Sequence, residues 1–326
     1  MIRLLRLLCV AWILPVIFST VAYYGFVTNY THHVFTNATF DRQYDHGVYK
    51  YRILGREIQK RIDRMLDRHH FGFHAPKVMR AIEKDFSANF YIAYFLNNTF
   101  FFCLTCTMLF LLFEKIGGGS EAFTDLMVTM ISLVLALSQF VVAPYDMLSY
   151  FLTVSGFYLI LLPQSKKRLF LLCAVVVLGA LTRETITMVP AFYLTLHWRE
   201  ILRLRAPHDA KWELLAMGGC FLAVYSGLRW GMGAEEHTFF QTRNLGANFT
   251  KTLPLVGVAF IYASTILLLL EQHGRGAIGL FLLATLPYTL SIFYNSFLWE
   301  IRLWIPVLLG MMVLKAMAVL QSKDAG

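Results

Sequence analysis

Ten apolar runs separated by short polar breaks organise the sequence, with approximate limits 4–27, 89–113, 125–142, 147–163, 169–181, 185–198, 213–232, 252–270, 276–294 and 303–321. Runs of about 20 apolar residues match helices that cross a hydrocarbon layer about 30 Å thick. The fifth and sixth are short and part only at Thr182-Arg183-Glu184. They read either as one kinked span or as two half-length helices meeting at a polar hinge. The first run follows Met1-Ile2-Arg3-Leu4-Leu5-Arg6 and begins like a signal peptide. It is long and has no small-x-small cleavage site, so it reads as a retained anchor. The pattern predicts an all-α, polytopic transmembrane bundle of about ten spans (nine to eleven), one membrane domain over residues 1–326.

Residues 28–88 form the longest polar stretch, and they too are patterned. Leu54, Ile58, Ile62, Met65 and Leu66 recur at helical spacing between Arg52 and His70, with Arg, Lys and Asp on the other face. Such a helix suits the headgroup layer of a membrane, and its basic face suits anionic headgroups or a lipid phosphate. A solvated face with buried side-chain stems accounts for it equally well. A second short helix is expected from Lys77 to Phe86, after Pro76.

Composition agrees with the pattern. Of 326 residues, 57% are hydrophobic and 15% charged, against about 25% charged in soluble proteins. The formal net charge of +9 raises nucleic acid as a partner, which needs the basic residues on one soluble face. They are not so placed. With an inner N-terminus, twelve basic residues lie in inner segments, five in short outer segments and eleven in the loop 28–88. Basic residues favour the inner side, and long loops are translocated largely regardless of charge. Both termini are therefore expected inside, 28–88 outside, and no nucleic acid as partner. Of the five cysteines, Cys9, Cys173 and Cys220 lie in apolar runs, and Cys103 and Cys106 form a CxxC within a span. Buried cysteine there reads as a small hydrophobe rather than a metal or redox centre.

Charge at span ends is expensive to dehydrate and so is informative. On the expected outer side lie Asp41, Asp45, Asp146, Arg183, Glu184, Glu300 and Arg302, and the segment 233–250 adds Glu235, Glu236, His237 and Arg243. An outward cavity lined by carboxylates and arginines follows. Taken singly, each charge also fits a snorkelling helix-end residue.

Three stretches then resemble one family. They are Ala143-Pro144-Tyr145-Asp146, with Arg183-Glu184 and Pro190 further on; Phe40-Asp41-Arg42-Gln43-Tyr44-Asp45; and Trp299-Glu300-Ile301-Arg302-Leu303-Trp304-Ile305-Pro306. Together with the layout of spans they resemble the GT-C superfamily, multispan glycosyltransferases that use polyprenyl-phosphate-linked sugars. The resemblance implies a cell-membrane enzyme, small and bacterial-like, with its active face on the periplasmic side of the inner membrane. Its partners would be the bilayer, a polyprenyl-phosphate-linked sugar and a glycan, lipid or protein acceptor. An outer-loop carboxylate would take the acceptor's proton as its oxygen attacks the anomeric carbon, with inversion. Asp41 is favoured for that role over Asp45, and Asp146 would orient acceptor or sugar. Arg183 and Arg302 would meet the phosphate, with Glu184, Arg243 and Glu300 beside them.

Helix-start or turn roles compete for the aspartates, and pairing with Glu184 and Glu300 competes for the two arginines. No Asp-x-Asp pair is present for a divalent cation; Asp41 and Asp45 would share one only on a helix, so a divalent cation is possible but not indicated. Other functions with this topology are a polysaccharide polymerase or ligase, which favours a long late outer loop, a lipid or solute transporter, and a noncatalytic membrane scaffold. Sequons occur at Asn29, Asn37, Asn97 and Asn248.

Overall fold

The computed structural model describes residues 1–25, 40–42, 44–45, 47–69, 88–117, 120–140, 143–202, 208–233, 246, 248–250, 252–270, 272–296, 298 and 300–324. Among them the chain is helical and has no strand. The helices are α1 (Ile2–Leu8), α2 (Leu14–Gly25), α3 (Ile53–Arg68), α4 (Ala88–Ile116), α5 (Glu121–Leu137), α6 (Asp146–Ile160) and α7 (Lys166–Ala180). They continue with α8 (Met188–Leu202), α9 (His208–Met232), α10 (Thr252–Leu270), α11 (Arg275–Ala284), α12 (Leu286–Asn295) and α13 (Ile305–Asp324). Helix thus forms in each of the ten apolar runs. The second juxtamembrane helix expected at 77–86, Arg243 and the sequons at Asn29 and Asn37 lie outside the described residues.

Among the described residues, length and apolarity together pick out two helices able to cross a membrane, Ile2–Tyr24 and Asn89–Ile116, and a third if the bent pair α11–α12 is one span. Two prolines explain the irregularities. A π turn, Cys9–Ile13, joins α1 to α2 just before Pro15, which has no N–H for the Ala11 carbonyl four residues back. The pair α11–α12 bends by 58° ahead of Pro287, whose ring removes the bond to Leu283 in the same way. Thr285 occupies the break, its hydroxyl donating to the Phe281 carbonyl at 3.0 Å. The fifth and sixth runs are two helices, α7 and α8, parted by the 3-10 turn Glu184–Thr187.

Two compact units divide the chain. Unit 1 comprises Met1–Phe110, Asp125–Phe151 and Leu181–Arg183. Its core is aromatic: Tyr23, Phe40, Tyr44, Phe90, Tyr91, Tyr94 and Tyr145 are buried together with Ala22 and Ala143. Rings meet edge-on or tilted, as Phe40–Phe90 at 5.1 Å and Phe40–Tyr44 at 4.8 Å between centroids, the arrangement favoured by ring quadrupoles.

Helix α3 lies on this core by a line that takes in Leu66 of its apolar stripe together with polar positions. The buried line is Gly55, Gln59, Asp63 and Leu66, while Met65 is 50% exposed. Polar residues face inward because α4 and its neighbours offer them partners. Gln59 donates to the Phe90 carbonyl and accepts from Asn97, which also donates to the Pro144 carbonyl at 3.1 Å. Leu66 packs on Ile92 and Ala93, and Asn89 donates to Asp67 at 2.7 Å. Asn97 is 1% exposed, so its sequon is closed to modification in the folded chain. Gly55 permits the close approach: a Cβ there would stand 2.8 Å from the Tyr145 Cβ and 3.1 Å from its Cα. Gly55→Leu is expected to lift α3 off Tyr145 and lower stability by about 1–3 kcal/mol, an overpacking cost read from the denaturation midpoint.

Unit 2 comprises Leu111–Thr124, Leu152–Ala180 and Glu184–Gly326. Here α7 packs on α9, α8 on α9 and α11, and α13 on α8, α10 and α11. Small residues set these approaches: Gly179 admits Ile186, and Gly310 admits the Phe281 ring. Arg168, grouped by sequence with the loop charges Lys166 and Lys167, is instead 3% exposed. It pairs with Glu213 and donates to the Leu162 carbonyl at 2.9 Å, just past the end of α6. A cation there suits the helix's negative end.

Candidate functional site

Unit 1 gathers a group of carboxylates, cations and tyrosines around residues 41–60, 144–146 and 183. Asp146 opens α6 and is fully buried. Its carboxylate pairs with the guanidinium of Arg183, also buried. Sequence offers Glu184 as the competing partner of Arg183, but the fold selects an aspartate 37 positions away. Glu184 faces Arg229 instead, at 3.8 Å within unit 2.

Tyr145 links this pair to α3. The guanidinium of Arg183 lies 5.6 Å from the Tyr145 ring centroid, and that of Arg52 lies 4.6 Å from it. Arg52 also stands 5.1 Å from the Tyr49 ring, so two aromatic faces accompany its charge as it is buried. Backbone pairing fixes the junction: the Leu54 N–H donates to the Leu181 carbonyl at 3.0 Å, two residues before Arg183.

The chain of rings continues outward through Tyr49 and Tyr44, 6.4 Å apart. Arg56 lies 5.4 Å from the Tyr44 ring centroid and donates to Asp41 at 3.4 Å, and Lys60 pairs with the same Asp41 oxygen. The Asp41 side chain remains 44% exposed. Successive turns form its local backbone, Tyr44 N–H donating to the Asp41 carbonyl and Asp45 N–H to that of Arg42. Asp45 is exposed.

Tyr44 itself is 2% exposed, and among the described residues its hydroxyl has no hydrogen-bond partner. Burial pushes its phenol well above its ordinary value; Tyr145 adds to the rise, and Arg52 works against it. A protonated phenol without a partner is a donor held ready for an oxygen.

Sequence reasoning thus finds Asp41, Asp146 and Arg183, which share one unit, but misses Tyr44, Arg52, Arg56 and Lys60 as their neighbours. A signal existed in the i, i+4 spacing of Arg56 and Lys60 and in the aromatic density of 40–51; it points to lipid as readily as to Asp41. Glu300 and Arg302 lie in unit 2 and pair with each other at 2.9 Å, both buried. This is the local pairing that competes with a phosphate role for Arg302. Among the described residues, no group of three or more His, Cys, Asp or Glu side chains is placed to hold a metal ion.

Chemically, the unit 1 group joins two carboxylates to four cations beside an unpartnered hydroxyl. Cations of this kind bind an anion of more than one charge, and arginine meets phosphate oxygens in pairs. Compared with family models, curated proteins and solved structures, the chain matches none.

Proposed function

We propose that the chain is an integral-membrane glycosyltransferase that moves a sugar from a polyprenyl-phosphate carrier to an acceptor hydroxyl. In this reading ten spans cross the membrane, the termini are inside, and residues 28–88 carry α3 on the outer face. The observation that carries the proposal is the union in unit 1 of Asp41 and Asp146 with Arg52, Arg56, Lys60 and Arg183 around buried tyrosines.

Asp41 is the general base, since it is the partly exposed carboxylate and a substrate hydroxyl can reach it. The acceptor oxygen attacks the anomeric carbon and gives its proton to the Asp41 carboxylate. The new glycosidic bond forms as the bond from that carbon to the phosphate oxygen breaks, and its electron pair leaves on the phosphate. Attack opposite the leaving group inverts the anomeric centre. Arg56 and Lys60 meet the charge gained by the departing phosphate, the point at which fixed cations act most strongly. Asp146, locked by Arg183, is a positioning residue that holds Tyr145 and Arg52 in place.

Tyr44 supplies the first test. Its hydroxyl would donate to a sugar or phosphate oxygen of the donor. Removing an unpartnered buried hydroxyl should leave stability unchanged or slightly raised. Tyr44→Phe is therefore expected to fold like the parent and to lose about 10–150-fold in kcat/KM, the value of one hydrogen bond to a charged group. Unaltered transfer by this variant would remove Tyr44 from the site.

A further inference from the structure

The two edges of α3 have different occupants. Arg56 and Lys60 turn to Asp41, but Arg61, Arg64 and Arg68 are exposed and follow one another at spacings of three and four. This places them on one side of the helix. With Met65 and His69 they line a shallow open cleft. Among the described residues, no carboxylate pairs with Arg61, Arg64 or Arg68; the bond Arg64 does make from Nε goes to the Lys60 carbonyl. Met65, half exposed, supplies an apolar contact between the cations.

The height of this cleft along the membrane normal follows from the packing of α3. Its residues 59, 66 and 67 meet α4 at 90 and 97, at 92 and 93, and at 89. Among the described residues these contacts fall in the first third of α4, whose 29 residues rise about 43 Å and exceed the hydrocarbon thickness of about 30 Å. In the proposed topology that first third is the outer end of α4. The basic edge of α3 therefore stands at headgroup level.

We infer that Arg61, Arg64 and Arg68 form a docking site for an anionic phospholipid, its phosphodiester held between the guanidinium groups and its glycerol region against Met65. Charge complementarity selects this occupant over a zwitterionic lipid, whose choline or ethanolamine would face three cations. The inference rests on the chain's membrane placement and is independent of glycosyl transfer.

The test is titration of the purified full-length protein, in a neutral detergent, with fluorescent phosphatidylglycerol or fluorescent phosphatidylcholine. Wild type should prefer phosphatidylglycerol, and 0.5 M salt, chosen as roughly a 4 Å Debye length, should weaken that preference. The triple Arg61→Gln, Arg64→Gln, Arg68→Gln variant should lose up to about a hundredfold in apparent affinity, about a unit of binding energy per surface cation. The matching triple lysine variant, which keeps the charge, should retain most of it. Equal binding of the two lipids by wild type, or undiminished preference in the glutamine variant, overturns the proposal. So does displacement of the lipid by inorganic phosphate at matching concentration, which would make the cleft a free-anion site. Transfer activity enters none of these readouts, so failure here and failure of the glycosyltransferase reading are distinguishable.

Discussion

Arg183→Leu is expected to destabilise the protein by about 3–5 kcal/mol, because it strands a buried carboxylate without its counter-charge. Asp146 is 0% exposed, and water cannot stand in for the guanidinium at such a site. The same change removes one of the two cations beside the Tyr145 ring, and Tyr145 is the residue against which Gly55 seats α3. Damage should therefore spread to α3. A double change settles whether the loss is electrostatic. Asp146→Leu combined with Arg183→Met removes both charges at similar volume, and such replacements are often close to neutral. Denaturant unfolding of purified protein should place the double variant well above the single one. A double variant as unstable as the single would mean that steric fit at residues 145–183, rather than charge pairing, holds the junction.

Asp41→Asn is expected to show the opposite balance of effects. The Asp41 side chain is 44% exposed, and its pairs with Arg56 and Lys60 lie where solvent screens them. The loss of stability should stay below about 1 kcal/mol. Asparagine keeps the shape and can still accept from Arg56, but it cannot take a proton at neutral pH. A missing general base lowers the chemical rate by about 10²–10⁴-fold. The effect should fall mainly on kcat, because Arg56 and Lys60, the residues assigned to the phosphate, keep their positive charges. On the proposed function the two variants separate the tasks within one cluster, Arg183 assigned to holding the frame and Asp41 to the chemistry.

The helical runs were legible because apolar spacing and length alone specify where a buried or lipid-facing helix forms. The breaks before Pro15 and Pro287 belong to the same local logic, although their consequences, a π turn and a 58° bend, emerge only in three dimensions. Side-chain partners were less legible. Nothing local tells Arg183 to choose Asp146 over the adjacent Glu184, since that choice depends on how Leu181 is pinned to α3. The periodicity of α3 was only part of its packing. Of Leu54, Ile58, Ile62, Met65 and Leu66, Leu66 is buried with Ile62 packed beside it and Met65 is half exposed, and the interior also takes in Gly55, Gln59 and Asp63, with Asn97 and the Phe90 carbonyl bonding Gln59 there. The tyrosine cluster was visible as composition but not as a site; that required Tyr44, Tyr49 and Tyr145 to line up between Asp41 and Asp146.

The measurement that bears most directly on the central claim is sugar transfer from a panel of polyprenyl-phosphate-linked donors, using membranes containing wild type or Asp41→Asn at matched folded levels. The account predicts transfer by wild type with inversion at the anomeric carbon, and a fall of about 10²–10⁴-fold in the variant. Transfer by Asp41→Asn at the wild-type rate, or retention of the anomeric configuration, would contradict it.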